Sequence, residues 1–468
     1  MSNKEFQEVL HSFCDKISDV ISSGKEIVVV THIDADGITS GSIITKALIR
    51  KNAKCVLRTI SDINPNVIGG LRDEGHNFFI ICDLGAGLAG ELEKALQDKW
   101  LVIDHHQLPQ SEIEDDRVLN AWKYGIDGGK QVSTGGMAYM VANRLDSKNR
   151  DLSWLAVVAA VADRQDQGDK KSLIGLNSEI ANTAKSLGFL NIDLDLMLTG
   201  RETRPLHESL AYTSFPYIDG LTWNGDSCLS VLSAAGLKLK HDGRWRVLAE
   251  LSEEEKGKML EAIAKFVAST SKSSDIIEDL VGYIYTLLRE DRRSMLRDAR
   301  EFSTLLNACG RIRRAGVGVA MCLGDRGAML KEGETIVGEY RSMLRNYIST
   351  IFTERWRLTD DGKSAMINGE GLIAEDMLGA VSSLLSGSPS LYNRLLFVRT
   401  KAKDGSYKFS CRKCLRCDSN VNLGLLMREC AARFDGNGGG HDAAAGARVA
   451  FEKVEDFIAC IKGNVATD

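Results

Sequence analysis

Three short apolar runs in the first quarter of the chain each end in histidine or aspartate, and this pattern constrains the fold more than any other feature. Runs of Val, Ile and Phe of this length are typical of strands buried in a parallel sheet. The carboxyl ends of such strands meet at one edge, where ligand sites lie in open α/β sheets. The sequence therefore predicts a doubly wound parallel sheet with a polar site at that edge. The runs are residues 28–30 before His32, 78–82 before Asp83, and 100–103 before Asp104, His105 and His106.

The polar residues after these runs are of the types that bind metal ions. If residues 31–37 leave the sheet still extended, side chains alternate between faces and three ligands project to one side. Carboxylates and imidazoles without cysteine favour Mn²⁺ or Mg²⁺ over a structural Zn²⁺. Crowded carboxylates repel one another unless cations compensate them, and two ions roughly 3.5–4 Å apart are the usual arrangement for displacement at phosphorus. The expected set is His32, Asp34, Asp36, Asp83, Asp104, His105, His106 and Asp163.

This constellation resembles the DHH phosphoesterase superfamily, whose name-giving motif stands here as residues 104–106. The first family motif matches at residues 32–36, the second at Asp83 and the fourth at Asp163. The resemblance implies a role for each residue. One metal ion would be held by His32 and Asp34, the other by Asp36, His105 and Asp163, with Asp83 bridging, His106 on the scissile phosphate and Asp104 orienting the histidine pair.

A glycine-rich stretch near the C-terminus, residues 438–446, resembles the signature of the DHH-associated (DHHA1) domain. Glycine lets the backbone approach a phosphate closely, and successive N–H groups can form an anion-binding nest. The Ser-Cys-Arg stretch 410–412 resembles the Ser-x-Arg element with which this domain holds a phosphate. The substrate-binding residues that these resemblances imply are Ser410, Arg412, Gly438, Gly439, Gly440 and His441.

Other stretches resemble RecJ-type single-strand exonucleases. Residues 305–311 are similar to their Asn-Ala-x-Gly-Arg segment, which makes Asn307 and Arg311 candidate substrate-binding residues. Residues 200–206 and 211–222 are similar to archaeal RecJ homologues, the group that includes the GINS-associated nuclease. The resemblance implies a metal-dependent exonuclease on single-stranded nucleic acid, DNA before RNA, that digests from the 5′ end to mononucleotides in DNA replication or repair. It also implies a GINS complex or replicative helicase as a further partner.

The patterning divides the chain into three parts. Residues 1–170 alternate strands and helices, and are expected to form the catalytic DHH domain. Residues 171–300 are expected to be largely helical, with a capping box at residues 252–255 that starts a helix through residue 266. Residues 301–468 return to mixed α/β and are expected to form a smaller DHHA1 domain, with the active site in the cleft between the two α/β domains, as in the family.

Composition excludes little. A net charge of −5 does not rule out nucleic-acid binding, because binding depends on the local field of a groove. No run of 18 apolar residues and no signal-peptide pattern is present, so we expect no membrane span and a cytoplasmic location. Cysteines 411, 414 and 417 are spaced like part of a metal site that lacks its fourth ligand, which leaves metal binding there open. Cysteines such as Cys82 and Cys309 are expected to pack in the core of a protein in a reducing compartment.

Two alternatives to a single-strand exonuclease stay open. A small-substrate DHH phosphodiesterase, acting on short oligonucleotides, cyclic dinucleotides or pyrophosphate, would share the metal ligands; the chain length and the helical middle part argue against it. A non-catalytic replisome scaffold that binds GINS would tend to lose those ligands, and here all of them are present.

Overall fold

The structure is a computed structural model that describes residues 2–108, 115–270, 275–440 and 442–466. His441, one of the expected substrate-binding residues, lies outside these ranges. The chain forms two compact units, Met1–Val337 and Gly338–Asp468. This boundary follows Val337, whereas the sequence pattern placed one after residue 300.

The first unit begins with a five-stranded sheet and its helices. All neighbouring strands are parallel, in the order β2-β1-β3-β4-β5, so the expected doubly wound sheet is confirmed. One face of the sheet packs against α3 and α4, while α2 and α5 also contact the strands. The strands β1–β5 are Ile27–His32, Cys55–Ile60, Phe78–Cys82, Trp100–Ile103 and Val118–Leu119, and the helices α1–α6 are Ser2–Ser22, Ala35–Arg50, Pro65–Asp73, Ala89–Leu96, Thr134–Leu145 and Ser153–Ala162.

The rest of the first unit is helical, as expected, but it also contains four strands that the sequence pattern did not predict. Strands β6 (Leu190–Leu196) and β9 (Val281–Leu287) pair antiparallel, and β7 (Lys240–His241) pairs with β8 (Arg244–Trp245). The helices α7–α14 are Gly175–Ser186, Leu206–Ala211, Gly225–Ala234, Glu253–Thr270, Asp275–Glu278, Ala299–Arg311, Ala315–Leu323 and Ala328–Thr353, the last of which continues into the second unit.

The predicted capping box at the start of α10 is confirmed. The Ser252 hydroxyl accepts a hydrogen bond from the Glu255 N–H at 3.2 Å, and the Glu255 carboxylate accepts one from the Ser252 N–H at 2.9 Å. Two backbone donors at the helix start are thereby satisfied. The helix runs to Thr270, four residues beyond its predicted end.

The second unit contains a six-stranded mixed sheet in the order β10-β11-β12-β13-β15-β14, where only β11 and β12 pair in parallel. Two hydrophobic clusters pack on it, one with α16 and α17 and one with α15 and the end of α14. The second α/β sheet expected in this part of the chain is therefore confirmed. The strands β10–β15 are Leu358–Asp360, Ser364–Asn368, Leu395–Lys401, Tyr407–Lys413, Asn437–Gly440 and Ala444–Val449, and α15–α17 are Leu378–Leu385, Leu423–Ala432 and Val454–Ala466.

The cysteines are mostly core residues. Burial raises the pKa of the Cys411 and Cys414 thiols to about 12, and no candidate metal group among the described residues contains a cysteine. Cys430 and Cys460 form a disulfide between α16 and α17, which the cysteine spacing did not predict. None of the described helices is long and apolar enough to cross a membrane.

Candidate metal centre

The imidazole and carboxylate groups gather at the carboxyl edge of the parallel sheet. The order β2-β1-β3-β4-β5 changes direction between β1 and β3, and a crevice forms at such a switch point. Three groups of side chains there have ligand atoms within 4.8 Å of one another. Asp83 and His105 each belong to two groups, so the groups form one continuous cluster. The groups are His32, Asp34 and Asp83; Asp83, His105 and His106; and Asp36, His105 and Asp163.

The route by which Asp36 reaches this cluster corrects the sequence analysis. The chain does not stay extended through residue 37, because α2 begins at Ala35 and places Asp36 in its first turn. Asp34 starts this helix: its Oδ1 accepts a hydrogen bond from the Gly37 N–H at 2.9 Å. His32 and Asp34 therefore share one group, while Asp36 joins another. The alternation argument failed because Asp34 is the N-cap of α2, so the chain turns into the helix before it reaches residue 36.

A second helix start holds Asp36 from the other side. The backbone N–H groups of Thr134 and Gly135, at the beginning of α5, donate to the two Asp36 oxygens at 3.0 and 2.7 Å. The Thr134 hydroxyl donates to Asp83 Oδ1 at 2.9 Å. A helix N-terminus favours negative charge, so it stabilises carboxylates that repel one another. Sequence reasoning missed both residues, although the Ser-Thr-Gly-Gly run 133–136 is a recognisable helix start.

His105 is oriented by a backbone carbonyl. Its Nδ1 donates to the Gly128 carbonyl at 2.7 Å, which leaves Nε2 facing Asp83 Oδ1 at 3.6 Å and Asp36 Oδ2 at 3.8 Å. The buried Gln165 amide also donates to Gly128, and to Asp163 Oδ2 at 2.8 Å. In its neutral form this tautomer presents the Nε2 lone pair to the cluster, as a metal-binding imidazole must. Gln165 was not predicted, and its only signal is its position two residues after Asp163.

Asp104 orients His106 and not His105. Asp104 Oδ1 lies 2.7 Å from His106 Nδ1, and its Oδ2 accepts a hydrogen bond from the Ala86 N–H at 3.0 Å. Asp104 is buried, whereas the His106 side chain is 56% exposed. Burial opposes the charged form of His106, but Asp104 outweighs it and raises the His106 pKa well above its ordinary value. The arrangement offers a positively charged group at the open side of the cluster.

The carboxylates are crowded enough to change one another's pKa. Burial, followed by repulsion from Asp83, raises the pKa of Asp36 well above its usual range. Burial and Asp34 raise the pKa of Asp83 to about 6. Burial opposes the charged form of His105, yet Asp163 and its neighbours raise the His105 pKa to about 9. Each shift reduces the net negative charge of the cluster, as a bound divalent cation would.

One buried nitrogen indicates that the cluster fits a cation. His32 Nδ1 lies 2.8 Å from Asp34 Oδ2 and 3.6 Å from Asp83 Oδ2, yet it has no partner with hydrogen-bond geometry among the described residues. Buried polar atoms without partners are rare in folded proteins. An imidazole nitrogen and carboxylate oxygens that converge without hydrogen bonds form a donor set for Mn²⁺ or Mg²⁺.

Helix α12 packs directly on the loop that carries His32 and Asp34. The Asn307 amide oxygen accepts a hydrogen bond from the Ala35 N–H at 3.0 Å. A Cβ atom at Gly310 would lie 1.6 Å from the Ile33 carbonyl oxygen, so only glycine permits this approach. Burial would raise the pKa of Asp34, but His32 and the Gly37 N–H lower it, and Arg311 is close enough to add to this lowering. Asn307, which was expected to bind substrate, here holds the backbone that follows His32 and Asp34 through its hydrogen bond with Ala35.

The expected phosphate-binding residues of the second unit form a separate polar network. Arg412 donates to the Ser383 hydroxyl at 3.1 Å and to the Ser410 hydroxyl at 3.3 Å. The Ser410 hydroxyl also shares a hydrogen bond with Ser382 at 2.7 Å. Ser382 and Ser383 lie on α15 and were not predicted. Ser410 and Arg412 are thus hydrogen-bonded to two serines of α15 that no sequence motif marked.

The glycines of the expected loop have different surroundings. A Cβ atom at Gly438 would lie 2.3 Å from the Met427 carbonyl oxygen, so Gly438 lets β14 pack against α16. A Cβ atom at Gly439 would approach nothing closer than the Arg428 side chain at 3.9 Å. Only Gly439 of this pair is thus open enough for a ligand to approach its backbone.

Another concave surface lies outside the metal-type cluster. It is a cleft of about 610 Å³ lined by the β7–β8 turn and neighbouring charged residues. Its charges are largely paired: Arg293 contacts Glu250 at 2.6 Å, and Arg246 contacts Glu255 at 2.6 Å. The chemistry of the metal-type cluster, not the size of this cleft, identifies the candidate site.

The comparisons with known proteins agree with this geometry. The sequence models of three domain families match the chain: the DHH family N-terminal domain over residues 26–162, the DHH-CID domain over 198–281 and the DHHA1 domain over 365–467. The chain belongs to the DHH superfamily. Its DHH domain contains almost the whole cluster, with Asp163 one residue beyond the match, and its DHHA1 domain contains Ser410, Arg412 and the glycine loop.

A relative of similar length is an uncharacterized protein of Methanocaldococcus jannaschii, 29% identical over 466 residues that cover 97% of this chain and 96% of the relative. The fold is similar to that of RecJ from Thermus thermophilus in complex with Mn²⁺, with a TM-score of 0.58, 16% identity and 98% of this chain covered. This DHH protein spans about half, 55%, of that RecJ chain.

Two further solved structures share the fold. One is exonuclease RecJ bound to manganese, with a TM-score of 0.56 and 16% identity over 98% of this chain and 94% of the other. The second is CDC45 from Entamoeba histolytica, with a TM-score of 0.63 and 12% identity over 99% of both chains. At such low identity these likenesses establish a RecJ-like fold and leave activity to be argued from the site.

Proposed function

We propose that this DHH protein is a divalent-cation-dependent exonuclease that hydrolyses phosphodiester bonds of single-stranded nucleic acid, above all DNA. The observation that carries the proposal is the continuous cluster in which Asp83 and His105 are each shared by two candidate metal groups. DHH-family members are metal-dependent phosphoesterases, and the RecJ fold supports a nuclease within that class. We further propose digestion from the 5′ end to mononucleotides in DNA replication or repair.

The ligand roles are proposed from these groups. His32, Asp34 and Asp83 would hold one cation, while Asp36, His105 and Asp163 would hold the other, with Asp83 placed to serve both. Two divalent cations, Mn²⁺ or Mg²⁺, would polarise the phosphoryl group and make water nucleophilic at neutral pH. Thr134, Gly135 and the Gly128 carbonyl keep these ligands in place.

His106 is the group of this chain best suited to hold the scissile phosphate. Asp104 occupies Nδ1, which leaves Nε2 as the nitrogen that can donate to a phosphate oxygen. Asp104 favours the positively charged form of this ring, and a charge-assisted hydrogen bond to phosphate is stronger than a neutral one. We assign His106 to holding the phosphate and Asp104 to orienting it.

The DHHA1 residues Ser410, Arg412 and Gly438 to Gly440 are proposed to hold further phosphates of the substrate, together with His441. The guanidinium and hydroxyl groups are hydrogen-bond donors, which suits an anion. In this division of labour residues 1–170 carry the catalytic ligands, residues 171–300 guide the strand or a partner such as GINS, and residues 301–468 carry most of the phosphate contacts.

A single strand labelled at either end tests the proposal. With Mn²⁺, a 5′ label is expected to appear at once as mononucleotide, whereas a 3′ label passes through progressively shorter products. EDTA should abolish cleavage, and Mn²⁺ should restore it at least as well as Mg²⁺. Short RNA, a cyclic dinucleotide and pyrophosphate serve as competing substrates. Hydrolysis of these small substrates with an intact DNA strand would overturn the proposal.

A further inference from the structure

One loop of the first unit displays aromatic rings to solvent. We call residues 212–223, between α8 and α9, the aromatic loop. In it Tyr212, Phe215 and Trp223 are 43%, 56% and 47% exposed. They are three of the six exposed aromatic residues in the described part of the chain. No element of the proposed metal centre uses them, although this stretch overlaps the one similar to archaeal RecJ homologues.

The loop is locked, so the exposure of its rings is not caused by a loose backbone. Its ends are joined by the Trp223 N–H, which donates to the Ala211 carbonyl at 2.7 Å. The Thr222 hydroxyl bridges to the Thr213 carbonyl at 3.2 Å. Ile218 lies in the hydrophobic core. The aliphatic side of the loop is inside and the flat rings face outwards.

The backbone of Trp223 has a φ of 66°, in the left-handed region that a bulky residue rarely adopts. Such a conformation persists only where the surroundings fix it, and it is found more often at functional sites than elsewhere. Here the hydrogen bond to Ala211 fixes it. The loop therefore keeps its strained residue in the position that exposes the indole ring.

Each exposed ring has a cation or a second ring beside it. Lys171 Nζ lies 5.4 Å from the centre of the Phe215 ring, and the Arg204 guanidinium lies 4.4 Å from the centre of the Tyr212 ring. Trp223 has the Tyr217 ring at 5.9 Å, edge to face. Aromatic faces for stacking and nearby cations for phosphates are the two components of surfaces that bind single strands without sequence preference.

The loop is also within reach of a strand that ends at the metal centre. Lys171 follows Asp163 by eight residues, which span at most about 29 Å of extended chain. A single strand at about 3.4 Å per nucleotide covers that distance with roughly eight nucleotides. An ion pair between Asp166 and Arg300, at 2.6 Å, holds the connecting segment against α12.

We propose that the aromatic loop, with Lys171 and Arg204, is a stacking platform for bases of single-stranded nucleic acid, several nucleotides from the bond that is cut. This inference rests on the proposed nuclease function. A protein partner would need a contiguous apolar patch, whereas the exposed rings here alternate with cations and polar groups, and Ile218 and Leu221 are buried.

The test is binding of a fluorescein-labelled single strand of 20 nucleotides in EDTA, followed by fluorescence anisotropy. Phe215→Ala and Trp223→Ala should each weaken Kd roughly 5- to 100-fold, because each removes a stacking surface. Phe215→Tyr and Trp223→Tyr keep an aromatic face and should bind like wild type. Lys171→Ala should lower the slope of log Kd against log salt concentration by about 1, which is the contribution of one phosphate contact.

A matched control is available in the second unit. Phe451 is 53% exposed and has Lys401 Nζ 5.2 Å from its ring centre, so it reproduces the Phe215 and Lys171 pair outside the proposed platform. Phe451→Ala should leave Kd unchanged. With Mn²⁺, the loop variants should lose cleavage of the 20-nucleotide strand but keep cleavage of a trinucleotide, which covers only about 10 Å at about 3.4 Å per nucleotide.

The outcomes separate the two proposals. If the wild type cuts the strand while Phe215→Ala and Trp223→Ala bind it within twofold of wild type, the platform is wrong and the nuclease stands. An equal loss in Phe451→Ala, or loss of binding in Trp223→Tyr, also overturns the platform. If the wild type neither binds nor cuts single strands, the nuclease proposal fails and the platform fails with it. Loop variants that lose only a protein partner would assign the surface to that partner.

Discussion

In the first unit the polar residues gather where parallel strands end, whereas in the second unit Ser410 and Arg412 lie within an antiparallel strand. The first cluster is rich in carboxylates. Burial disfavours their charged forms, and backbone N–H groups and histidines compensate this cost only in part. The second contains a guanidinium that donates hydrogen bonds to serine hydroxyls. The difference separates two tasks: a negative cluster suits cations that drive chemistry, and a positive one suits an anion that must be held.

The largest expected effect is at the residue that two candidate metal groups share. Asp83→Asn should lower kcat/KM on a single strand by about 1,000-fold or more, since several kcal/mol of cation-dependent stabilisation are lost. Cleavage of labelled DNA with Mn²⁺ measures this. In EDTA the variant should melt no lower than wild type, because a crowded carboxylate is removed. Asp15→Asn on the exposed face of α1 is the control, and activity within tenfold of wild type in Asp83→Asn would contradict the assignment.

The next effect tests whether the ligand loop needs the close approach of α12. Gly310→Ala would place a methyl group 1.6 Å from the Ile33 carbonyl oxygen, so the helix or the loop must move. A shift of about 1 Å in a catalytic centre costs on the order of 100-fold in rate. Gly316→Ala, on α13 with nothing within 4 Å, should be neutral or slightly stabilising. Mn²⁺ affinity by calorimetry and DNA cleavage should both fall in the first variant only.

A smaller effect distinguishes holding from chemistry in the second unit. Arg412→Ala should lower kcat/KM on a single strand roughly 10- to 100-fold, the loss of one charge-assisted contact. Hydrolysis of bis-p-nitrophenyl phosphate, which has no flanking phosphates, should fall much less. Arg399→Ala on the neighbouring strand β12 is the control. Equal losses on both substrates would assign Arg412 to the chemistry or to the fold.

The glycine loop sharpens the same distinction. Gly438→Ala should destabilise the second unit, because the added methyl meets the Met427 carbonyl at 2.3 Å. Gly439→Val should leave the melting temperature nearly unchanged and weaken binding of the single strand. If Gly439→Val binds DNA like wild type, the loop does not hold the backbone phosphates.

The smallest effect concerns stability and pH. Burial and Asp298 raise the pKa of Glu301 to about 7. Because the folded pKa lies above the unfolded value of about 4.5, ionised Glu301 destabilises the fold as pH rises from about 4.5 to 7. Glu301→Gln should therefore raise the free energy of unfolding at pH 8, by an amount on the order of 1–2 kcal/mol, and with it the melting temperature, and change little at pH 4.5. A lower melting temperature at pH 8 would show that the hydrogen bonds to Glu202 and Thr203 need the carboxylate.

The sequence was sufficient to predict the parallel sheet and the convergence of its polar ends, since apolar runs mark buried strands and the carboxyl ends of parallel strands lie at one edge of a sheet. It was wrong about how Asp36 arrives, because helix capping by Asp34 competes with an extended strand end. The paired strands β6 and β9 were missed although residues 190–196 alternate strictly between apolar and polar side chains, a pattern that indicates a strand. The partner strand lies about 90 residues further along, so local pattern could not predict the pairing.

The supporting groups of the site were harder to predict than its ligands. Thr134 and Gly135 hold Asp36 through backbone N–H groups, which every residue type except proline carries, so no side-chain motif marks these contacts. Asn307 has a side chain that fits substrate binding, but its oxygen bonds to the Ala35 N–H across the fold. Such contacts depend on tertiary packing, and the sequence contains no local trace of them.

Helix α2 starts at the ligands, and thirteen of its sixteen residues are buried among α5, α6, α12 and α13. The Ala35 and Gly37 N–H groups donate hydrogen bonds to Asn307 and Asp34. Because the helix that carries them is buried, the start of α2 cannot open without disrupting the core of the unit. Hydrogen exchange at Ala35 and Gly37 should consequently proceed only through global unfolding, at the rate of the slowest core amides. The sheet edge that carries the metal-type cluster and the core of this unit should thus unfold cooperatively. We expect no state in which the unit stays folded while the side chains of the cluster are disordered.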